Sequence, residues 1–290
     1  MTLLFFTLTI LGCHSLTSAS KAPDPYLIAV GADPQLFMRQ KNDDHWQKTV
    51  DGIIRVKPDF FIVCGDLTNA ANKASKWEDP KKVKEYERQA DAFLAGADRL
   101  RKTLPVYHVA GNHDVTVRPT PERLKWYEKK FGKAWYSFEH KNSLFVVLES
   151  NLLRDPSGAP SQAKKQLDWL RETLEDSVSK KYHHKFAFLH HPLCLKDINE
   201  KDSYYNVGLE MRKSLFSLFK KHDFSAIFSG HLHRNNYLKL EGLEMITTAS
   251  CCVPLGKDPR GVHLVKVLEE EIVHEYRSIE ALTAPKKNDE

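Results

Sequence analysis

Apolar residues along the chain fall into short runs bounded by turn residues, and these runs alternate with longer stretches of helical periodicity. Tyr26–Gly31, Phe60–Cys64, Pro105–Ala110, Phe186–Leu189 and Ser225–Phe228 read as strands. Between them, His45–Val56, Glu78–Leu100, Pro121–Phe131 and Val207–Lys221 place apolar residues three and four apart, with charges on the other face, and read as helices. Pro121 suits a first helical turn, and Ser161 is placed to cap a helix running to about Asp176. Trp135–Phe138 and Leu144–Leu148 read as a hairpin. The tail is strand-rich: Asn236–Leu240, Met245–Thr248, Val262–Val267 and Ile272–Tyr276 follow one another across short turns. This order predicts one layered α/β domain over residues 25–280, with helices outside two packed sheets, and a frayed tail over 281–290.

Composition narrows this only a little. The 290 residues are 41% hydrophobic and 28% charged, as in ordinary globular proteins, which leaves room for one large domain. The formal charge of +5 is spread along the chain. It suits an anionic substrate, but without a basic stripe interleaved with aromatics it gives no reason to expect nucleic acid. A monomer is expected. Residues 1–20 hold no Lys, Arg, Asp or Glu, and Leu3–Gly12 is an apolar run too short to cross a bilayer. This segment reads as a signal peptide or lipoprotein leader. Ile10-Leu-Gly-Cys13 resembles a lipobox, which would make Cys13 a lipid anchor, although no basic residue precedes it. Export is therefore expected, with a cytoplasmic enzyme behind a misplaced start as the alternative. The five cysteines show no metal spacing and imply no disulfide framework. Cys64 reads as a core residue, and adjacent Cys251 and Cys252 would be strained if bridged.

Chemistry gathers at the ends of the strands. Gly31-Ala-Asp-Pro-Gln35, Gly65-Asp-Leu-Thr-Asn69, Gly111-Asn-His-Asp114, His190-His-Pro192 and Gly230-His-Leu-His233 each follow an apolar run. Ligands bind at strand C-terminal ends in α/β sheets, and glycine lets backbone turn sharply there. Singly, these are common turn sequences. Five together, all offering oxygen or nitrogen donors, point to a bound cation.

The order Asp, Gly-Asp, Gly-Asn-His-Asp, His, Gly-His-x-His resembles the calcineurin-like metallophosphoesterase superfamily across Asp33 to His233. Ala32–Gln35, Tyr204–Val207, Phe228–Asn235 and Leu255–Gly261 are similar to its subgroup typified by calcineurin-like phosphoesterase domain-containing protein 1, described as a serine/threonine phosphatase. The resemblance implies a four-layer α/β/β/α sandwich and hydrolysis of phosphate monoesters, phosphoserine and phosphothreonine among them, by a hydroxide bridging two metal ions. It assigns Asp33, Asp66 and His233 to one ion, and Asp66, Asn112, His190 and His231 to the other. Mn, Fe or Zn suits this mixed donor set. Gln35 stands where the superfamily usually has His, and offers a carbonyl oxygen as a weaker ligand. His113 matches the residue that stabilises the phosphoryl group or protonates the leaving oxygen. Asp114 is expected either to hold the His113 ring or to cap a turn. Asn69 and Arg234 are candidates for binding substrate, a phosphorylated small molecule or phosphoprotein. His191 could lie behind the ligands, and Tyr204 and Tyr205 could form a substrate wall. Alternatives on the same residues are a phosphodiesterase or nucleotide pyrophosphatase, or a metal- or phosphate-binding module without turnover.

Overall fold

The computed structural model describes residues 24–38, 42–69 and 80–285. The expected leader and Cys13 lie outside them, as do the last five residues of the tail. Eleven strands are described: β1 (Tyr26–Gly31), β2 (Phe60–Val63), β3 (Val106–His108), β4 (Tyr136–His140), β5 (Ser143–Val147), β6 (His184–Phe188), β7 (Ala226–Ser229), β8 (Asn236–Leu240), β9 (Leu243–Thr247), β10 (Gly261–Val267) and β11 (Ile272–Ser278). They build a five-stranded sheet, β11-β10-β1-β2-β3, and a six-stranded sheet, β4-β5-β6-β7-β9-β8. β1, β2 and β3 run parallel, as do β5, β6, β7 and β9. The remaining strands pair antiparallel.

Alternation along the strands explains why two sheets form and how they stack. Ile28, Val30, Phe60 and Ile62 point inward to meet Phe145, Val147, Phe186, Phe188 and Phe228 of the other sheet. Their neighbours Ala29, Phe61 and Val63 point outward, under α1 (Asn42–Val56) and α2 (Pro80–Arg101). Trp46, Val50 and Ile53 of α1 share one helix face and are fully buried there. On the opposite side, Leu144, Val146, Ala187 and Leu189 lie among side chains of two later helices. Three apolar layers therefore separate helix, sheet, sheet and helix, as the sequence resemblance implies.

The remaining helices are α3 (Asn112–Val115), α4 (Pro121–Phe131), α5 (Ser150–Arg154), α6 (Pro160–Ser177), α7 (Leu209–Lys221) and α8 (Ile279–Thr283). Ser161 does not cap α6; Ala159 holds that position and Pro160 starts the helix. Proline's fixed φ is already helical and its missing N–H is not needed there, so the helix begins two residues early. α7 starts at Leu209 because Asn206 and Val207 are engaged in the preceding loop. Residues 281–283, expected in a frayed tail, belong to α8 instead: Ser278 caps it through its side chain, and Ile279 is buried. All four described cysteines are free thiols, Cys251 and Cys252 included.

Candidate metal centre

The parallel strands of both sheets deliver their C-terminal ends to one edge. Asp33, Asp66 and Asn112 follow β1, β2 and β3; His190, His231 and His233 follow β6 and β7. The sheets thus contribute three side chains each, all buried. Reaching this point requires unusual backbone. Asp33 (φ 52°), Gln35 (φ 38°), Asp66 (φ 51°), His231 (φ 71°) and His233 (φ 53°) are all left-handed, at a cost of roughly 1–2 kcal/mol each. Loop-to-loop hydrogen bonds hold them so: Asp33 N–H donates to Gly65 O, Gln35 N–H to Asp66 O and Gly230 N–H to His190 O.

Each histidine is pinned at one ring nitrogen by a backbone carbonyl. His190 Nδ1 lies 2.9 Å from Cys64 O, His231 Nε2 lies 3.1 Å from Tyr204 O, and His233 Nδ1 faces Val253 O. A carbonyl accepts, so these nitrogens carry the proton, and each opposite nitrogen turns a lone pair inward. His190 Nε2 is 3.0 Å from Asn112 Oδ1, 3.3 Å from Asp66 Oδ1 and 3.1 Å from His231 Nδ1. His233 Nε2 is 3.7 Å from Asp33 Oδ1. Acceptor faces acceptor throughout, and only a cation reconciles them. Without a metal a proton takes that part: burial works to lower the His190 pKa, but Asp66 and Asp33 outweigh it and raise it to about 9. Asp33 is raised to about 6, chiefly by burial, against the pull of His233 and His190. Burial and the charge of His190 push His231 down to about 3. Two carboxylates, an amide oxygen and three imidazoles in tautomers fixed from behind fit borderline divalent transition ions.

A sequence model described as calcineurin-like phosphoesterase matches residues 26–235, a span that contains all six of these side chains. The chain belongs to the calcineurin-like phosphoesterase family. This phosphoesterase is thereby a metal-dependent hydrolase of phosphoric esters. It is similar to serine/threonine-protein phosphatase CPPED1 of Rattus norvegicus, at 32% identity over 276 residues, covering 89% of this chain and 86% of the relative. The Homo sapiens protein of the same name is 32% identical over 278 residues, covering 89% and 85%. In fold, the phosphoesterase is similar to a dimetal phosphatase from Danio rerio, with a TM-score of 0.67 at 15% identity, covering 88% of this chain and 97% of the other.

Other residues singled out in the sequence take distinct places. His113 lies against the cleft beside the centre, Nε2 4.0 Å from Asp66 Oδ2, and burial lowers its pKa against the pull of Asp66. Asp114 takes the second of its two expected roles. Its carboxylate does not hold the His113 ring; it accepts from Gly111 N, Leu67 N, Thr68 N and Thr68 Oγ1 at 2.9–3.1 Å. It is the turn cap, tying the Asp66 loop to the Asn112 loop, because four N–H and O–H donors converge on it. Gln35 meets Asp66 as a donor, Nε2 to Oδ2 at 3.2 Å, so here it steadies the carboxylate. Arg234 lines the cleft, exposed. Asn69 is not among the described residues lining it; its backbone N–H donates to Gln89 Oε1.

Arg154 has no signal in the sequence, yet it organises one side of this phosphoesterase's site. Its guanidinium donates to Asn206 O, to Ser203 O and to His191 Nε2 at 2.9–3.1 Å. The loop so held carries Tyr204, whose carbonyl pins His231 and whose hydroxyl is 3.5 Å from Asn112 Nδ2. His191 accepts from Arg154 at Nε2 and donates its Nδ1–H to Ser150 Oγ, 2.9 Å away, so no lone pair remains for a metal. Burial, reinforced by the neighbouring His190 and Arg154 charges, keeps it neutral.

Proposed function

We propose that this phosphoesterase hydrolyses phosphate monoesters, phosphoserine and phosphothreonine among them, at a centre of two divalent ions that share Asp66. The observation that carries this is the set of three imidazoles, each fixed from behind by a carbonyl, with their free nitrogens turned toward two carboxylates and an amide oxygen. When bound, two such ions supply positive charge to phosphoryl oxygens and make water acidic enough to attack at neutral pH. Asp33 and His233 would hold one ion; Asn112, His190 and His231 the other. Asp66 would serve both; its Oδ1 faces His190 and its Oδ2 faces Gln35 and His113. His113, kept neutral by burial at the cleft wall, is placed to donate a ring N–H to a phosphoryl or leaving oxygen. The names of the CPPED1 relatives support the phosphoserine and phosphothreonine class.

The test is to strip the protein with chelator, restore Mn, Fe or Zn, and assay p-nitrophenyl phosphate against bis(p-nitrophenyl) phosphate. Asp66→Asn and His113→Ala are run alongside. Monoester turnover that needs metal and is lost in both variants supports the reading. Faster diester turnover, or bound metal with no turnover of either ester, refutes it.

A further inference from the structure

Among the described residues, eight large hydrophobic side chains stand exposed, and four of them line the cleft that opens on the metal centre: Met38, Tyr204, Tyr205 and Leu255. Scattered exposed apolar residues need no explanation, but a cluster marks a binding surface. These four come from three separate segments, after β1, before α7 and after β9. The rings of Tyr204 and Tyr205 meet at 80° with centroids 5.4 Å apart, which makes a two-walled aromatic corner. Asp66, already turned to the metal centre, is the sole carboxylate among the lining residues, and Arg234 sits 5.9 Å over the Tyr205 ring.

The rim is also held in place. Leu255 N–H donates to the carbonyl of His233, so its position is set by a ligand residue. Tyr204 is fixed by the Arg154 contacts already described. The cavity measures about 230 Å³, below the roughly 300–1,000 Å³ of pockets for drug-sized ligands. It suits a phosphoryl group and one ring-sized substituent. A rim serving only to admit free phosphate would have no use for a preformed apolar wall, because such contacts bind by removing apolar area from water.

We propose that this rim is a leaving-group subsite, selecting phosphomonoesters that carry an apolar ring or branched group a few bonds from the ester oxygen. The inference rests on the monoesterase reading above. Tyr205, Leu255 and Met38 would cover the substituent while the phosphoryl group meets the ions. The ring can belong to a small alcohol or to a side chain next to a phosphoserine.

The experiment uses the full chain loaded with Mn. Ethyl phosphate and 2-phenylethyl phosphate are both primary alkyl esters, so their intrinsic reactivities are alike. The ring should raise kcat/KM roughly tenfold. Leu255→Ser and Tyr205→Ser should each cut that preference about threefold or more while sparing ethyl phosphate. Calorimetry with ethylphosphonate and 2-phenylethylphosphonate reads the same preference without turnover. Phosphoserine tripeptides with Phe or Gly beside the phosphoserine identify the source of the ring: a Phe preference assigns it to a side chain, and its absence to a small alcohol. Equal binding of the two phosphonates, or a preference untouched by both substitutions, would overturn the subsite. A binding preference with neither ester hydrolysed would keep the subsite and overturn the monoesterase reading instead.

Discussion

Gly111→Ala is a one-carbon change aimed at the shared carboxylate. The backbone of Gly111 is already extended (φ −102°), so alanine carries no conformational penalty there. Its Cβ, however, would fall 2.1 Å from Asp66 N and 2.2 Å from Asp66 Oδ1. Carbon needs about 3.5 Å, so the Asp66 loop must retreat by about 1 Å. Overpacking of this kind costs about 1–3 kcal/mol, and in a chain of this size each kcal/mol lowers Tm by roughly 2–4 °C. A displacement of about 1 Å at a reacting centre costs about 100-fold in rate. Gly132→Ala is the control, because Gly132 is left-handed (φ 93°) with nothing within 4 Å of the added carbon. With ψ −169° this backbone is one that only glycine adopts readily, so the variant should lose roughly 1–3 kcal/mol and keep its activity. Metal content, melting temperature and p-nitrophenyl phosphate turnover are measured for both. Turnover of Gly111→Ala within threefold of wild type, or equal effects of the two variants, would refute the steric argument.

Arg154→Met removes two hydrogen bonds to the loop that carries Tyr204 and one to His191, and metal affinity should fall about 10–100-fold. Arg154→Lys should not restore it, because the planar fork is lost; metal retained during dialysis against graded chelator is the readout, and unchanged retention would count against the clamp. Because the ligands come from both sheets, metal at about 100 times its Kd should add about 2.7 kcal/mol to folding, seen as a Tm that rises with metal and loses that dependence in Asp66→Asn. Two buried histidines should each make a contribution to stability that falls on acidification. Burial depresses His108 to about 4 and His263 to about 3, aided by Arg101 and His274 respectively. Below pH 6.5 the unfolded chain therefore binds protons that the folded chain refuses, and each site costs about 1.4 kcal/mol per pH unit. Urea midpoints at pH 7, 6 and 5 should show a shallower slope in His263→Gln.

Much of the architecture was legible because it rests on local patterns. Continuous apolar runs marked strands covered on both faces, and β1, α4 and β8 have the predicted bounds. The ligands were legible because each follows such a run at a turn. Whatever depends on contact between distant segments was not. The carbonyls of Cys64, Tyr204 and Val253 have no residue signature, yet they set the tautomers of three histidines. Arg154 ends a five-residue helix too short to show periodicity, and its partners lie as far on as Asn206. Asp114 was left between two roles because its N–H partners Leu67 and Thr68 precede it by 47 and 46 residues. α8 is also five residues long, and the sequence offered only its polar neighbours.

The strand order also bears on when a growing chain becomes an enzyme. The six-stranded sheet is contiguous, Tyr136 to Thr247, and can close as soon as that stretch has been synthesised. The other sheet cannot. β1, which positions Asp33, lies between β2 and β10, and its pairing runs from Tyr26↔Val267 to Val30↔His263. Until residue 267 has left the ribosome, one edge of β1 has no partner and the sheet that positions Asp33 is incomplete. A chain halted after His233 would hold all six candidate ligands with β1 still unpaired on one edge. The last strands carry none of those ligands, yet they complete the sheet from which Asp33 reaches the centre.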